Sequence, residues 1–162
     1  MLHDRPLEID TSLIDAFDIS LNGQPLLDKT AVIQEGIPLH FVGKIKMKPS
    51  VMSPAHRGSL RMAYRNTSQG DPDWATPEEG YTEKSFGTIQ GDTKEIDSDK
   101  KIPWPPGEYE IRFYVILQKD NLDNMLERAT IEAIHQIARG HVKVLPAGAD
   151  NSKPAMESNG QK

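Results

Sequence analysis

Residues 104–118 read WPPGEYEIRFYVILQ and contain the clearest β-strand pattern in the chain. Pro105, Pro106 and Gly107 mark the start of the strand, because proline and glycine favour turns. From Tyr109 to Leu117 every second residue is apolar, which is the spacing of side chains on one face of a strand. The alternate face is polar at first and apolar near the end. Such a strand is expected in the middle of a sheet.

The start of this strand resembles the tyrosine corner of immunoglobulin-like and fibronectin type III-like β-sandwiches. The residues that carry the resemblance are Pro106, Gly107, Tyr109 and Ile111. In those domains a tyrosine near the start of a central strand turns its hydroxyl back onto the backbone of the preceding corner, two residues before a core position. The resemblance implies that Tyr109 does the same and that Ile111 is the core position. It implies a sandwich architecture, which proteins of many functions share.

Further strands are predicted on both sides of this stretch, in a chain of 162 residues that is long enough for one domain. Asn22-Gly23 predicts a tight turn after the first of them. The segments with alternating or short apolar patterns are 17–21, 30–33, 39–48, 59–65, 81–90, 94–96 and 141–145.

Residues 121–139 have a different period, because apolar residues recur there at spacings of three and four. This spacing predicts an amphipathic helix, with Asp120 or Asn121 at its start and Gly140 at its end. A strand is the alternative for residues 129–138, where several residues are β-branched. The sequence therefore predicts an all-β, immunoglobulin-like antiparallel sandwich of about seven or eight strands with one inserted helix.

The predicted organisation has three parts. Residues 1–16 form an N-terminal extension, with a helical turn near 11–16, and residues 17–146 form the sandwich with its helix. Residues 147–162 form a polar tail that is expected to be disordered, because its composition cannot offset the entropy lost on ordering.

Composition and motifs exclude several classes of protein. The chain has no cysteine, which excludes disulfides and zinc bound by cysteine. It has neither a secretory signal pattern nor an apolar run of transmembrane length, so a cytoplasmic location, or a particle assembled in the cytoplasm, is expected. The sequence contains no recognised nucleophile, phosphate-loop or metal-ligand motif. No catalytic residue, metal or cofactor is therefore predicted, and an enzyme is not favoured.

The net charge of −5 is unevenly distributed along the chain. Residues 36–70 contain no acid and six cations, whereas residues 71–99 contain nine acids and two lysines. If the strands at 39–48 and 59–65 are antiparallel neighbours, their outward cations form one basic surface. The residues of this predicted basic surface are Lys44, Lys46, Lys48, Arg61 and Arg65.

Two interpretations of the basic surface remain open. Either the acidic block at 71–99 folds beside it and neutralises it, or the surface binds an anionic partner. Nucleic acid is not favoured, because the net charge is negative and aromatic residues do not interleave with the basic ones. Trp74, in the long loop 66–80, is either an anchor of that loop or a contact residue for a partner. Trp104 is interpreted as a lid over one end of the core.

The predicted function is therefore that of a non-enzymatic binding or structural module inside a larger assembly. Such an assembly would be a virion, a tail-like machine or a multi-subunit complex, and the partner would be another protein or a second copy of the chain. The alternative is a module that binds Ca²⁺ or anionic lipid, because Asp71/Asp73 and Asp97/Asp99 place carboxylates two residues apart. A small enzyme without a recognisable motif is the least favoured reading.

Overall fold

The computed structural model describes residues 8–27, 29–67, 81–89, 91–102, 104–120 and 130–147. In these ranges the chain forms nine β-strands and one short 3₁₀ turn, Pro49–Val51. The strands are β1 (Ile14–Leu21), β2 (Gln24–Pro25), β3 (Thr30–Gln34), β4 (Leu39–Met47), β5 (His56–Asn66), β6 (Tyr81–Ile89), β7 (Thr93–Lys100), β8 (Gly107–Lys119) and β9 (Thr130–Leu145). The predicted all-β class is confirmed over the described part of the chain.

The strands form two sheets that pack face to face as a sandwich. The four-stranded sheet has the order β2-β1-β4-β7, and the five-stranded sheet has the order β3-β9-β8-β5-β6. Two pairs of aromatic residues make contacts between the sheets, with one ring of each pair from either sheet. Phe17 packs edge-on against Phe113 with ring centroids 5.3 Å apart, and Phe41 packs in the same way against Phe86 at 5.4 Å.

The strand β8 lies at the centre of the five-stranded sheet, as its sequence predicts. The alternating residues from Tyr109 to Leu117 all belong to the core, and none of them is more than 5% exposed. On the opposite face Tyr114 is fully buried and packs with Ala63 and Ile134. Burial on both faces explains why this strand is continuously apolar from Phe113 to Leu117.

The helix predicted at 121–139 is wrong over its second part, where residues 130–139 belong to β9 and pair antiparallel with β8. The alternative, a strand, is correct there, and residues 121–129 lie outside the described residues. The helix-like spacing arises because β9 pairs with β8 through two register shifts. One of them places both Ile137 and Ala138 against the core, which breaks the strict alternation of a regular strand.

The first hairpin follows the predicted turn, because Asn22 and Gly23 both have positive φ angles (49° and 82°) between β1 and β2. The side chain of Gln24 then bonds the backbone of Val32 at both N and O (2.8 and 2.7 Å), which ties β2 of one sheet to β3 of the other. β3 pairs parallel to β9. The prediction of a wholly antiparallel sandwich is therefore wrong at this edge.

The sandwich begins before the predicted boundary at residue 17. β1 starts at Ile14, and Leu13 and Ile14 are both only 8% exposed in the core. The helical turn predicted near 11–16 is therefore wrong from Ile14 onward, where the backbone is extended. Ile9 also forms an isolated parallel bridge with Gln136. Residues 1–7 of the predicted extension and residues 148–162 of the predicted tail lie outside the described residues.

Candidate functional site: a cleft at one end of the sandwich

The predicted basic surface does not form as one patch. β4, which carries Lys44 and Lys46, pairs with β1 and β7 in the four-stranded sheet, and Lys48 directly follows it. β5, which carries Arg61 and Arg65, pairs with β6 and β8 in the five-stranded sheet. The connection between β4 and β5 therefore crosses from one sheet to the other, and the predicted pairing of these strands is wrong.

Part of the acidic block lies directly beside β4. The strand β7 pairs with β4 so that Glu95 is opposite Lys44, and Asp18 of β1 is opposite Lys44 on the other side. Opposite charges at directly paired strand positions attract each other. For Lys44, this register favours the interpretation that the charge is neutralised within the domain, whereas Lys46 is paired with the uncharged Ala16 and Thr93.

Arg61 and Arg65 lie on the outer face of the five-stranded sheet, which they share with Arg112 and Arg139. Arg112 and Arg139 are directly paired in register. Arg112 is only 6% exposed, and its Nε donates to Glu110 Oε1 at 3.1 Å. The sequence predicts neither residue on this surface. It places Arg112 on the partly polar face of its strand and Arg139 in the predicted helix. Trp74 lies outside the described residues.

A cleft of about 910 Å³ opens at one end of the sandwich, where the turn between β3 and β4 meets the segment 99–105. Most of its wall is apolar, and charged residues of both signs stand at its rim. The apolar lining is formed by Ile37, Pro38, Leu39, Ile102, Trp104 and Pro105, and the charged lining by Glu35, Asp99, Lys100 and Lys101.

The first wall of the cleft is the turn that follows β3. Gly36 has a φ of 87°, in the left-handed region that glycine adopts without steric cost. The backbone N–H of Glu35 donates to Leu145 O at 2.8 Å, which fixes the turn to the end of β9. Ile37 is thereby held at the cleft with 40% of its surface exposed. An isoleucine this exposed leaves apolar surface for a ligand or partner to cover.

The second wall includes Trp104, which is supported by an aromatic stack. The Trp104 ring lies on the Tyr109 ring, with centroids 4.9 Å apart, and meets Tyr64 edge-on at 5.2 Å. The Tyr109 hydroxyl donates to Pro105 O at 2.6 Å, which is the contact predicted from the resemblance to a tyrosine corner. Burial raises the pKa of this hydroxyl. Trp104 is 5% exposed, so its predicted position as a lid over one end of the core is confirmed.

A lysine at the rim is held in place by two contacts. Lys100 Nζ donates to Ser85 O at 2.6 Å and lies 5.1 Å from the centroid of the Phe86 ring. A cation over an aromatic face is attracted by the quadrupole of the ring. The Lys100 side chain is therefore ordered along β6, at the mouth of the cleft.

The acidic side of the rim is joined to a histidine. His40 Nδ1 lies 2.6 Å from Asp99 Oδ1, and His40 Nε2 lies 2.8 Å from Asp97 Oδ1. The hydrogen bond to Asp99 raises the pKa of His40, desolvation opposes this shift, and the charges of Asp99 and Asp97 add to it. The protonation of His40 therefore sets the charge next to the cleft.

Two aspartate pairs are the candidates for binding a metal ion. In the described ranges no group of three or more His, Asp or Glu side chains is arranged to hold a metal. Asp97 and Asp99, one of the two aspartate pairs considered for Ca²⁺, both contact His40. The other pair, Asp71 and Asp73, lies outside the described residues. None of the helical structure in the described part of the chain is long and apolar enough to cross a membrane.

Comparison with known proteins gives no family assignment: no protein-family model matches the chain, and no curated protein matches it significantly. Sequence reasoning missed the cleft because its two walls are about sixty residues apart in the chain. The local signal in the sequence is an apolar residue, Ile37, between Gly36 and Pro38, two residues that mark a turn.

Proposed function

We propose that this chain is an immunoglobulin-like β-sandwich that acts as a binding module within a larger protein assembly. Its cleft between residues 35–39 and 99–105 holds an apolar side chain of a protein partner. The observation that carries the proposal is the cleft itself, with its apolar lining and the exposed Ile37.

The immunoglobulin-like assignment rests on strand order and on the corner at Tyr109. In immunoglobulin-like sandwiches strands B and E belong to one sheet, and strands C, F and G to the other. β4 and β7 pair in one sheet, while β5, β8 and β9 are neighbours in the other, so they correspond to B, E, C, F and G. Tyr109 lies near the start of β8, which is where strand F carries the corner tyrosine.

The size and lining of the cleft support binding of a protein segment. Ligand pockets commonly measure about 300–1,000 Å³ and combine apolar walls with a few polar groups. Burying one large apolar side chain contributes about 1.5–3 kcal/mol. Charges of both signs at the rim suit a polypeptide backbone, which offers N–H donors and C=O acceptors. They suit an anionic lipid surface less well, since such a surface needs cations only.

The cleft is tested with the fluorescent probe 1-anilinonaphthalene-8-sulfonate, which reports apolar surface. Ile37→Asp should abolish the fluorescence increase. The matched control is Val42→Asp, because Val42 is 46% exposed but lies on β4 outside the cleft, and it should bind the probe like the parent. In a Trp74→Phe chain Trp104 is the remaining tryptophan of the two, so its quenching by the probe locates the binding at the cleft. Equal binding by both aspartate variants would refute the assignment of the site.

The partner is tested by photocrosslinking in the native source. A benzoylphenylalanine at position 37 should give a discrete crosslinked product with one protein or with a second copy of the chain. The same group at position 42 should not. Crosslinks that are equally strong from both positions would argue against a partner at the cleft. Titration with Ca²⁺ in a calorimeter and sedimentation with anionic vesicles detect the alternative function, and binding of either ligand would favour it.

A further inference from the structure

A serine, a histidine and a glutamate form a hydrogen-bonded chain at the end of the sandwich opposite the cleft. Ser53 lies in the turn before β5, His56 begins β5, and Glu132 lies near the start of β9. Ser53 Oγ is 2.6 Å from His56 Nδ1, and His56 Nε2 is 2.7 Å from Glu132 Oε1. Two side chains that are three residues apart are thus joined to a third from another strand.

The direction of these hydrogen bonds follows from the groups themselves. An ionised carboxylate can only accept, so His56 Nε2 carries the proton that is donated to Glu132. In the neutral imidazole Nδ1 is then the acceptor, and the Ser53 hydroxyl is the donor. This is the arrangement in which a serine is activated by an adjacent base that a third group orients.

The turn that carries Ser53 is fixed by backbone contacts. The N–H of His56 donates to Ser53 O at 2.9 Å, and the N–H of Asp120 donates to Ala55 O at 2.7 Å. His56 is also paired in register with Lys119 at the end of β8. The positions of Ser53 and His56 relative to each other are therefore set by the sheet.

Glu132 is directed towards His56 by an irregularity in β9. The register passes from Leu117↔Ala133 to Gln118↔Ile131, so Glu132 is the extra residue between two paired ones. Such bulges re-aim a side chain and are common next to active sites. The His56 side chain is 17% exposed and that of Glu132 is 39% exposed, while Ser53 is exposed. The serine is thus accessible and its base is largely shielded.

We propose that Ser53 is an acyl-accepting nucleophile, with His56 as its general base and Glu132 as a positioning residue. Ser53 Oγ attacks the carbonyl carbon of an ester while its proton passes to His56 Nδ1. The bond from that carbon to the leaving oxygen breaks, and His56 returns the proton to the leaving group. Water then attacks the acyl-serine with His56 as base, which releases the carboxylic acid and regenerates Ser53. Esters of small, solvent-accessible acyl groups are the substrate class, because Ser53 lies on an exposed turn.

The expected rate enhancement is modest. A positioned general base contributes about 10²–10⁴-fold. The nearest backbone donor in the turn, the N–H of Ala55, points at Ser53 Oγ at 3.3 Å and not at the place where the carbonyl oxygen of an ester would develop charge. The reaction therefore relies on the base, and a fast-leaving group is the appropriate probe.

The full chain is tested with 4-nitrophenyl acetate. We expect release of nitrophenolate above the rate in buffer, together with an acetyl group on Ser53 in peptide mass spectra. Ser53→Ala should lose both, whereas Ser59→Ala, which changes a serine on β5 outside the cluster, should keep both. Absence of the Ser53 acetyl group, or hydrolysis by Ser53→Ala at the rate of the parent, would overturn the proposal.

The role of Glu132 is tested by the tautomer of His56, which a loss of stability alone would not change. Nitrogen NMR of the His56 ring should show the tautomer protonated at Nε2, and Glu132→Gln should give a mixture of tautomers. The same variant should acetylate Ser53 at least tenfold more slowly while its melting midpoint stays at the parent value. A parent tautomer protonated at Nδ1 would overturn the proposal, because Ser53 would then be only an acceptor. An unchanged acetylation rate in Glu132→Gln would also overturn it.

Discussion

At the scale of a single residue, the side chain of Tyr109 makes two contacts and is almost fully buried. Its ring supports Trp104 beneath the cleft, its hydroxyl bonds the carbonyl of Pro105, and its own surface is only 3% exposed. Each contact constrains the corner that joins the segment 99–105 to β8. The Tyr109 side chain therefore supports the two cleft residues that it contacts, Trp104 and Pro105.

Tyr109→Phe should lower the free energy of unfolding by about 1–2 kcal/mol, because the hydroxyl–carbonyl hydrogen bond is lost while the ring remains. Tyr109→Leu should cost more, since it also removes the stacking with Trp104. Urea denaturation followed by tryptophan fluorescence measures both variants. Equal midpoints for the parent and Tyr109→Phe would show that the hydroxyl adds nothing.

His40 makes stability depend on pH. Its pKa in the folded protein is raised above 6.5, first by the hydrogen bond to Asp99. The stabilisation is therefore fully present below pH 6.5 and is lost as the pH rises through the folded-state pKa. The melting midpoint of the parent should exceed that of His40→Gln most clearly at low pH, and the two should converge as the pH rises. Asp99→Asn should weaken the same pH dependence, and parallel curves for the parent and His40→Gln would contradict this account.

At the scale of secondary-structure elements, β4 shows how the pairing register determines which charged residues lie next to each other. It lies between β1 and β7, and its exposed lysines face different neighbours. Lys44 is paired with Asp18 and Glu95, whereas Lys46 is paired with Ala16 and Thr93. These two positions differ in the charge of their neighbours and share the same strand.

Lys44→Glu should destabilise the protein by about 0.5–2 kcal/mol, because two attractive cross-strand pairs become repulsive. Lys46→Glu is the matched control and should change stability less, since neither of its paired neighbours is charged. The difference between the two variants should shrink as salt is added, because exposed charges are screened. Chemical denaturation at low and moderate salt measures it. Identical losses for the two variants would mean that register does not determine the effect.

At the scale of the whole molecule, the two sheets are held together by a core to which both contribute. Phe113 is fully buried at the centre of β8 and contacts Phe17 of the other sheet. Phe41 of the four-stranded sheet contacts Phe86 in the same way. Because each sheet buries its inner face only against the other, we expect the sandwich to unfold as one unit.

Phe113→Ala should lower the free energy of unfolding by about 3–5 kcal/mol, the usual cost of removing a buried aromatic ring. Val42→Ala, at an exposed position on β4, should change it by less than about 0.5 kcal/mol. Circular dichroism and tryptophan fluorescence should give coincident transitions for the parent. Separate transitions for the two signals would show that the sheets unfold independently.

Much of the fold could be predicted from local patterns. Strict alternation in β8, β4 and β5 gave the correct inward residues, because one side of each strand faces the core. Asn22-Gly23 specified its turn through positive φ angles. β9 was misread because its bulges produce helical spacing, and local periodicity cannot distinguish a bulged strand from a helix. The candidate sites were not predicted, since their residues meet only after folding.

The sequence by itself determined which residues face inward and where the chain turns, since both depend on side chains a few positions apart. It also determined the corner at Tyr109, whose partner is four residues away. Only the tertiary structure decided which strands are neighbours. Lys44 faces Asp18 and Glu95 while Arg61 lies in the other sheet, and Glu132 reaches His56 across 76 residues of sequence. Which strands pair depends on the apolar surface area that both sheets bury together, and no single segment of the sequence encodes that area.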